Sequence, residues 1–148
     1  MDVDLVLAPV DGSDQSERAI EYAITVADAY DADVHLLFVL DERLVKAIDE
    51  GAVDADTVAE DHREFTEMVR GRLDSDGVGG NLDTSTAAGF SPTSLRQSPG
   101  SVILDVAEAI EADFLVVPRE PGSNETDEAI GRAALYVIEY ASQPVLSV

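Results

Sequence analysis

Val3-Asp4-Leu5-Val6-Leu7-Ala8-Pro9-Val10 is followed at once by Asp11-Gly12-Ser13-Asp14, and this stretch decides the fold. Its first part is short, apolar and rich in branched side chains, as a strand buried on both faces should be. Its second part carries Asp, Gly and Ser, the residues that turn a chain. Ser13 is placed as the N-cap of a helix, and Asp14 and Glu17 have the spacing of a capping box. Ala19, Ile20, Ala23, Ile24, Ala27 and Tyr30 then recur at helical intervals. Val34 to Leu40 is a second apolar run. Strand, turn, helix and strand within about forty residues form a βαβ unit, which requires a parallel sheet.

Outward from this unit the same alternation continues. Asp41 to Gly51 is charged and irregular, with a short helical turn expected around Leu44 to Ile48. Asp56 to Leu73 has a thinner apolar stripe (Val58, Phe65, Met68, Val69, Leu73) on a solvated helix, which Gly77-Val78-Gly79-Gly80-Asn81 ends. Leu82 to Ala88 reads as a polar third strand at a sheet edge. Gly89 to Gly100 is expected to be a surface loop, and its length suggests a functional role. Ser101 is expected to cap a helix bearing Val102, Ile103, Val106, Ala107 and Ile110. Phe114 to Val117 is a fourth strand, Ala133 to Ala141 the last helix, and Val145 to Val148 a fifth strand. One domain over residues 1–148 is expected: a doubly wound, Rossmann-like α/β sheet of five parallel strands in the order 3-2-1-4-5, helices on both faces. Ligands of such sheets sit beyond the carboxyl ends of the strands, where the strand order reverses. That places the chemistry at Val10 to Asp14 and Pro118 to Arg132.

Composition narrows the function. The chain has 148 residues, 31 of them acidic and 9 basic, for a net charge of −22. A nucleic-acid or anionic-lipid partner calls for the opposite balance. The absence of cysteine excludes disulfides, thiolate metal sites and cysteine nucleophiles. No apolar run approaches the ~20 residues of a membrane span, and Met1 leads into a charged segment without a signal-peptide pattern. A cytoplasmic protein is expected. Lys46 is the only lysine, and 18 of the acids are aspartate. Such a surface is either an ordinary soluble one or an adaptation to molar salt, where the Debye length falls to ~3 Å; the salt-adapted reading is the one adopted.

Leu7-Ala8-Pro9-Val10-Asp11-Gly12-Ser13, with Ser16, Glu17, Arg18 and Ala19 after it, resembles the opening of the universal stress protein family. Asp105-Val106-Ala107-Glu108 and Ala112-Asp113-Phe114-Leu115-Val116-Val117 resemble that family's third helix and fourth strand. Gly131 to Val148, ending Gln143-Pro144-Val145-Leu146-Ser147-Val148, is similar to its closing helix and strand. The resemblance implies stress-linked regulation without catalysis, and a homodimer paired through Val145, Leu146, Ser147 and Val148. It also implies a nucleotide site in which Asp11 meets the adenine end and Val39 packs beside it.

The family's ATP-binding members carry glycine, two residues, glycine, nine residues, then glycine and a hydroxyl residue after the fourth strand. Here the two first glycine positions fall on Pro118 and Pro121, the third on Gly131 and the hydroxyl on Arg132. Glycine matters there because backbone N–H groups must cradle phosphate, and proline has none. ATP binding in the family manner is therefore not expected. A remodelled site for AMP, ATP or a small anion is the alternative, with Pro9, Asp11, Ser13, Val39, Arg119, Gly122, Gly131 and Arg132 as its candidate residues. Gly122-Ser123-Asn124 supplies a displaced anion nest in that reading. Arg96, Arg119 and Arg132 supply charge, although arginines on so acidic a surface also pair with neighbouring carboxylates. Ser13 is explained as a cap, and no histidine is placed beside it for acyl transfer. His35 and His62 stand apart and make no zinc site. Asp31/Asp33 and Asp54/Asp56 match no calcium loop and read as solvated surface. No catalytic or metal-ligating residue is expected.

Overall fold

The computed structural model describes residues 2–11, 13–88, 98–119 and 128–148, with side chains left out of account at 128–132. Its elements in chain order are β1 (Leu5–Val10), α1 (Asp14–Tyr30), β2 (Asp33–Leu40), α2 (Glu42–Asp49), α3 (Ala55–Ser75), β3 (Leu82–Ala88), α4 (Pro99–Ala109), β4 (Phe114–Val117), α5 (Glu128–Tyr140) and β5 (Val145–Ser147). The strands form one sheet in the order β3-β2-β1-β4-β5, all parallel. This is the expected doubly wound topology.

Each strand divides its side chains between two cores. Val6, Ala8 and Val10 of β1, Val34, Leu36 and Phe38 of β2, and Val116 of β4 join α1 and α3 on one face. Leu7, Leu37, Val39, Leu115 and Val117 join α4 and α5 on the other. The strict alternation is the period of two that a strand imposes. Apolar residues on both faces explain why the central strands read as unbroken apolar runs. Proline in a central strand normally breaks a ladder. Asp4 O accepts from Asp33 N, so even-numbered backbone groups of β1 face β2 and those of Pro9 face β4. The β4 register ends at Leu7↔Leu115, so the missing N–H falls beyond that ladder.

Three local expectations are corrected. Ser13 is the N-cap of α1 as expected, its side chain accepting from Ser16 N, but Asp14 and Glu17 form no capping box; both lie inside the first turn, where the helix dipole favours their charge. Ser98, not Ser101, caps α4. Ser101 is the third helical residue of a capping box and Pro99 opens the helix, since proline there loses no intrahelical bond. The last helix begins at Glu128, earlier than Ala133. The remaining residues 89–97 of the expected surface loop lie outside the described residues.

Candidate functional site

The strand order reverses between β1 and β4, so Asp11 and Pro118 leave the sheet side by side. The β1–α1 turn closes on itself. Asp11 Oδ1 accepts from Ser13 N at 2.9 Å and from Ser16 Oγ at 2.8 Å. Ser16 Oγ also accepts from Asp11 N at 2.9 Å, and Ser13 Oγ accepts from Ser16 N. Ser16 is fully buried, the one buried polar residue among those described. Sequence reading missed it. Its signal was present: Ser16 shares the inward helical face with Ala19, Ile20 and Ala23, and a hydroxyl there needs a partner.

The exit of β4 is built differently. Pro118 is buried and offers no N–H. Arg119 N donates to Val148 O at 2.7 Å, and Val148 N donates to Val117 O, so the pairing with β5 extends past the end of β4. The first two backbone positions after β4 therefore present no free N–H to a ligand. The side chain of Arg119 is exposed, and its guanidinium takes no part in the Arg63–Glu60, Arg70–Glu67 or Arg72–Glu21 ion pairs.

Of the remaining candidates, Pro9 is buried. Val39 lies in the core beneath α4 and α5, in register with Ala87 of β3, which is a packing role. Gly131 and Arg132 contribute helical backbone to α5. Pro121, Gly122 and Arg96 lie outside the described residues. The structure thus brings Pro9, Asp11, Ser13 and Arg119 to one end of the sheet.

The histidines sit elsewhere. His35 Nε2 lies 2.8 Å from Ser85 Oγ, and burial pushes its pKa below the ordinary 6.5 against the opposing pull of Asp83. His62 stacks on Phe38 with ring centroids 4.1 Å apart; burial lowers its pKa too, opposed by Asp61. Both are half-buried groups held by neighbours. Among the described residues no group of three or more His, Cys, Asp or Glu could hold a metal ion, and no helix is long and apolar enough to cross a membrane. An open hollow of about 350 Å³ lies at the start of β3, lined by Arg70, Leu73, Asp74, Gly80, Asn81, Leu82 and Asp83. It is at the opposite end of the sheet from the strand-order reversal.

Among solved structures, the fold is similar to universal stress protein UspA from Lactobacillus plantarum (TM-score 0.72, 22% identity, covering 100% of this chain and 99% of that one). It is also similar to a universal stress protein in complex with cAMP (TM-score 0.67, 20% identity, 100% and 98% covered). A third neighbour is the universal stress protein from Archaeoglobus fulgidus in complex with dAMP (TM-score 0.62, 17% identity, 98% and 96% covered). In sequence, a universal stress protein of Methanocaldococcus jannaschii is 28% identical over 146 residues, 97% of this chain and 80% of that protein. The universal stress protein family itself is matched over residues 3–148, and the chain belongs to that family.

Proposed function

We propose that this chain is a non-catalytic, stress-response regulatory domain that forms a homodimer and does not hold ATP in the family's glycine-cradled manner. The closed exit of β4 carries the reading: Pro118 has no donor, and the N–H of Arg119 is taken by Val148 O. A triphosphate approaching this edge meets a buried proline where a cradle of N–H groups is needed. The salt-adapted surface and a cytoplasmic setting belong to the same proposal, as does the single domain over residues 1–148.

The second reading keeps the site for a smaller anion. The neighbours in complex with cAMP and dAMP each hold a nucleotide with one phosphate, and Arg119 offers an exposed cation beside Asp11. Calorimetric titration of ATP, ADP and AMP in molar KCl separates the two. The expected result is no micromolar binding of ATP. Binding of AMP alone would transfer the conclusion to the second reading, and clear micromolar binding of ATP would overturn the first.

The dimer rests on β5, a sheet-edge strand whose apolar side chains are only partly covered; an uncovered edge is a pairing surface. Leu135 (69% exposed) and Ile138 (51%) of α5 extend it. A two-fold axis beside β5 would cover both from each copy. Because each copy carries −22, association should strengthen with salt. Light scattering in molar KCl is expected to show a dimer that Ile138→Glu converts to monomer; a wild-type monomer at micromolar concentration would contradict it.

A further inference from the structure

The hollow at the start of β3 lies at the amino end of the sheet, away from Asp11 and Pro118, and two elements wall it. Arg70, Leu73 and Asp74 come from α3; Gly80, Asn81 and Leu82 come from the chain as it enters β3. The second wall is held in place by backbone bonds. Val34 N donates to Asn81 O at 2.9 Å, and Asn81 N donates to Asp33 Oδ1 at 2.8 Å. Gly80 packs so closely that a Cβ there would collide with Ala32 O, so only glycine lets the chain approach the start of β2 at this point. The hollow is preformed on that side.

Its lining holds three kinds of group. Arg70 brings a guanidinium, which donates through Nε to Glu67 at 3.4 Å; both side chains are exposed, and such a pair along a helix is weak enough to yield to a better acceptor. Asp74 stands one helical turn after Arg70, on the same flank of α3, and Asp83 adds a second acidic residue from β3. Leu73, buried, and Leu82, half-buried, contribute apolar surface. Cation, acids and hydrocarbon thus meet in about 350 Å³, the small end of the range for ligand pockets.

These groups together select among ligands. Inorganic phosphate or a nucleotide suits Arg70 but meets Asp74 and Asp83, whereas a metal cation or a polyamine suits the acids but meets Arg70. An amino acid with a hydrocarbon side chain suits all three. We propose that this hollow binds a free aliphatic α-amino acid, with its carboxylate on Arg70, its ammonium on Asp74 and its side chain over Leu73 and Leu82. The planar guanidinium matches a carboxylate in geometry. Because the hollow is open to water, its charged contacts are modest and the expected Kd is about millimolar. A site of that strength responds to a plentiful metabolite rather than a trace one, which suits a regulatory domain. It is independent of whatever the opposite end of the sheet holds.

Proton–nitrogen NMR titration in molar KCl, where direct contacts outlast long-range attraction, tests it through the backbone amides of Asn81, Leu82 and Asp83. The probes are leucine, N-acetylleucine, which lacks the cation, and leucinamide, which lacks the anion. Leucine is expected to shift these amides saturably at about millimolar concentration, and each analogue to bind about tenfold more weakly. Arg70→Gln, at an exposed site that leaves the fold intact, should bind leucine no better than leucinamide. Asp74→Asn should bind it no better than N-acetylleucine. Absence of a saturable shift with leucine at about ten times that concentration would overturn the proposal. So would equal leucine binding by wild type and both variants. AMP is expected to leave the three amides unmoved, and an AMP shift there would also overturn it, since anions would then be the occupants.

Discussion

The β1–α1 turn and the exit of β4 lie side by side at the carboxyl end of the sheet, and both withhold backbone donors from a ligand, by different means. In the turn, side chains do the work. Asp11, Ser13 and Ser16 accept the N–H groups of Ser13, Ser16 and Asp11. At the exit the backbone does it, through a proline and through continued pairing of Arg119 and Val148. A site closed by side chains opens by point mutation at a cost in stability. One closed by proline and strand pairing is indifferent to the side chains around it.

The largest expected effect tests that contrast directly. Ser16→Val removes the hydroxyl that holds Asp11 N and Asp11 Oδ1, leaving Asp11 N without its partner and Asp11 Oδ1 with Ser13 N alone, at about 2 kcal/mol. Arg119→Ala, whose bond to Val148 is a backbone one, should change stability by less than about 0.5 kcal/mol. Urea unfolding of the two variants checks both values, and similar losses would erase the distinction. Asp11→Ala comes next at about 1 kcal/mol, because Ser13 Oγ still caps α1 and only the Asp11 contacts go.

The smallest effect concerns pH and lies outside both turns, which makes it a control. His35 and His62 have folded pKa values below the ordinary 6.5. Protonation therefore favours the unfolded chain: their contribution is complete above pH 6.5 and is lost as the pH falls through the folded values. The fall in Tm between neutral and mildly acid pH should be shallower in His62→Gln than in wild type, and unchanged in Arg119→Ala. Equal slopes in wild type and His62→Gln would remove His62 as a contributor.

Much of this architecture was legible because parallel strands buried on both faces announce themselves as apolar runs. Leu82–Ala88 was legible as an edge because it is polar. Helix starts were less so. Ser98 and Pro99 sit among prolines and serines that resemble a loop, and their capping role appears only when Ser101 folds back. Asp11, Gly12 and Ser13 were readable as a turn, yet the role of Ser16 in closing it was not, although its place on the apolar face marks it. The decisive bond at the β4 exit joins Arg119 to Val148, and the His62–Phe38 stack joins α3 to β2. No local spacing encodes either, since each depends on how distant elements pack.

The central claim is that the β4 exit lacks the donors a triphosphate needs. Its most direct test is parallel calorimetric titration of ATP, in molar KCl, into wild type and into the variant carrying Pro118→Gly, Pro121→Gly and Arg132→Ser. The expected result is no micromolar binding by wild type and a gain of about tenfold or more in the variant. Micromolar ATP binding by the wild-type chain, or no gain in the variant, would contradict it.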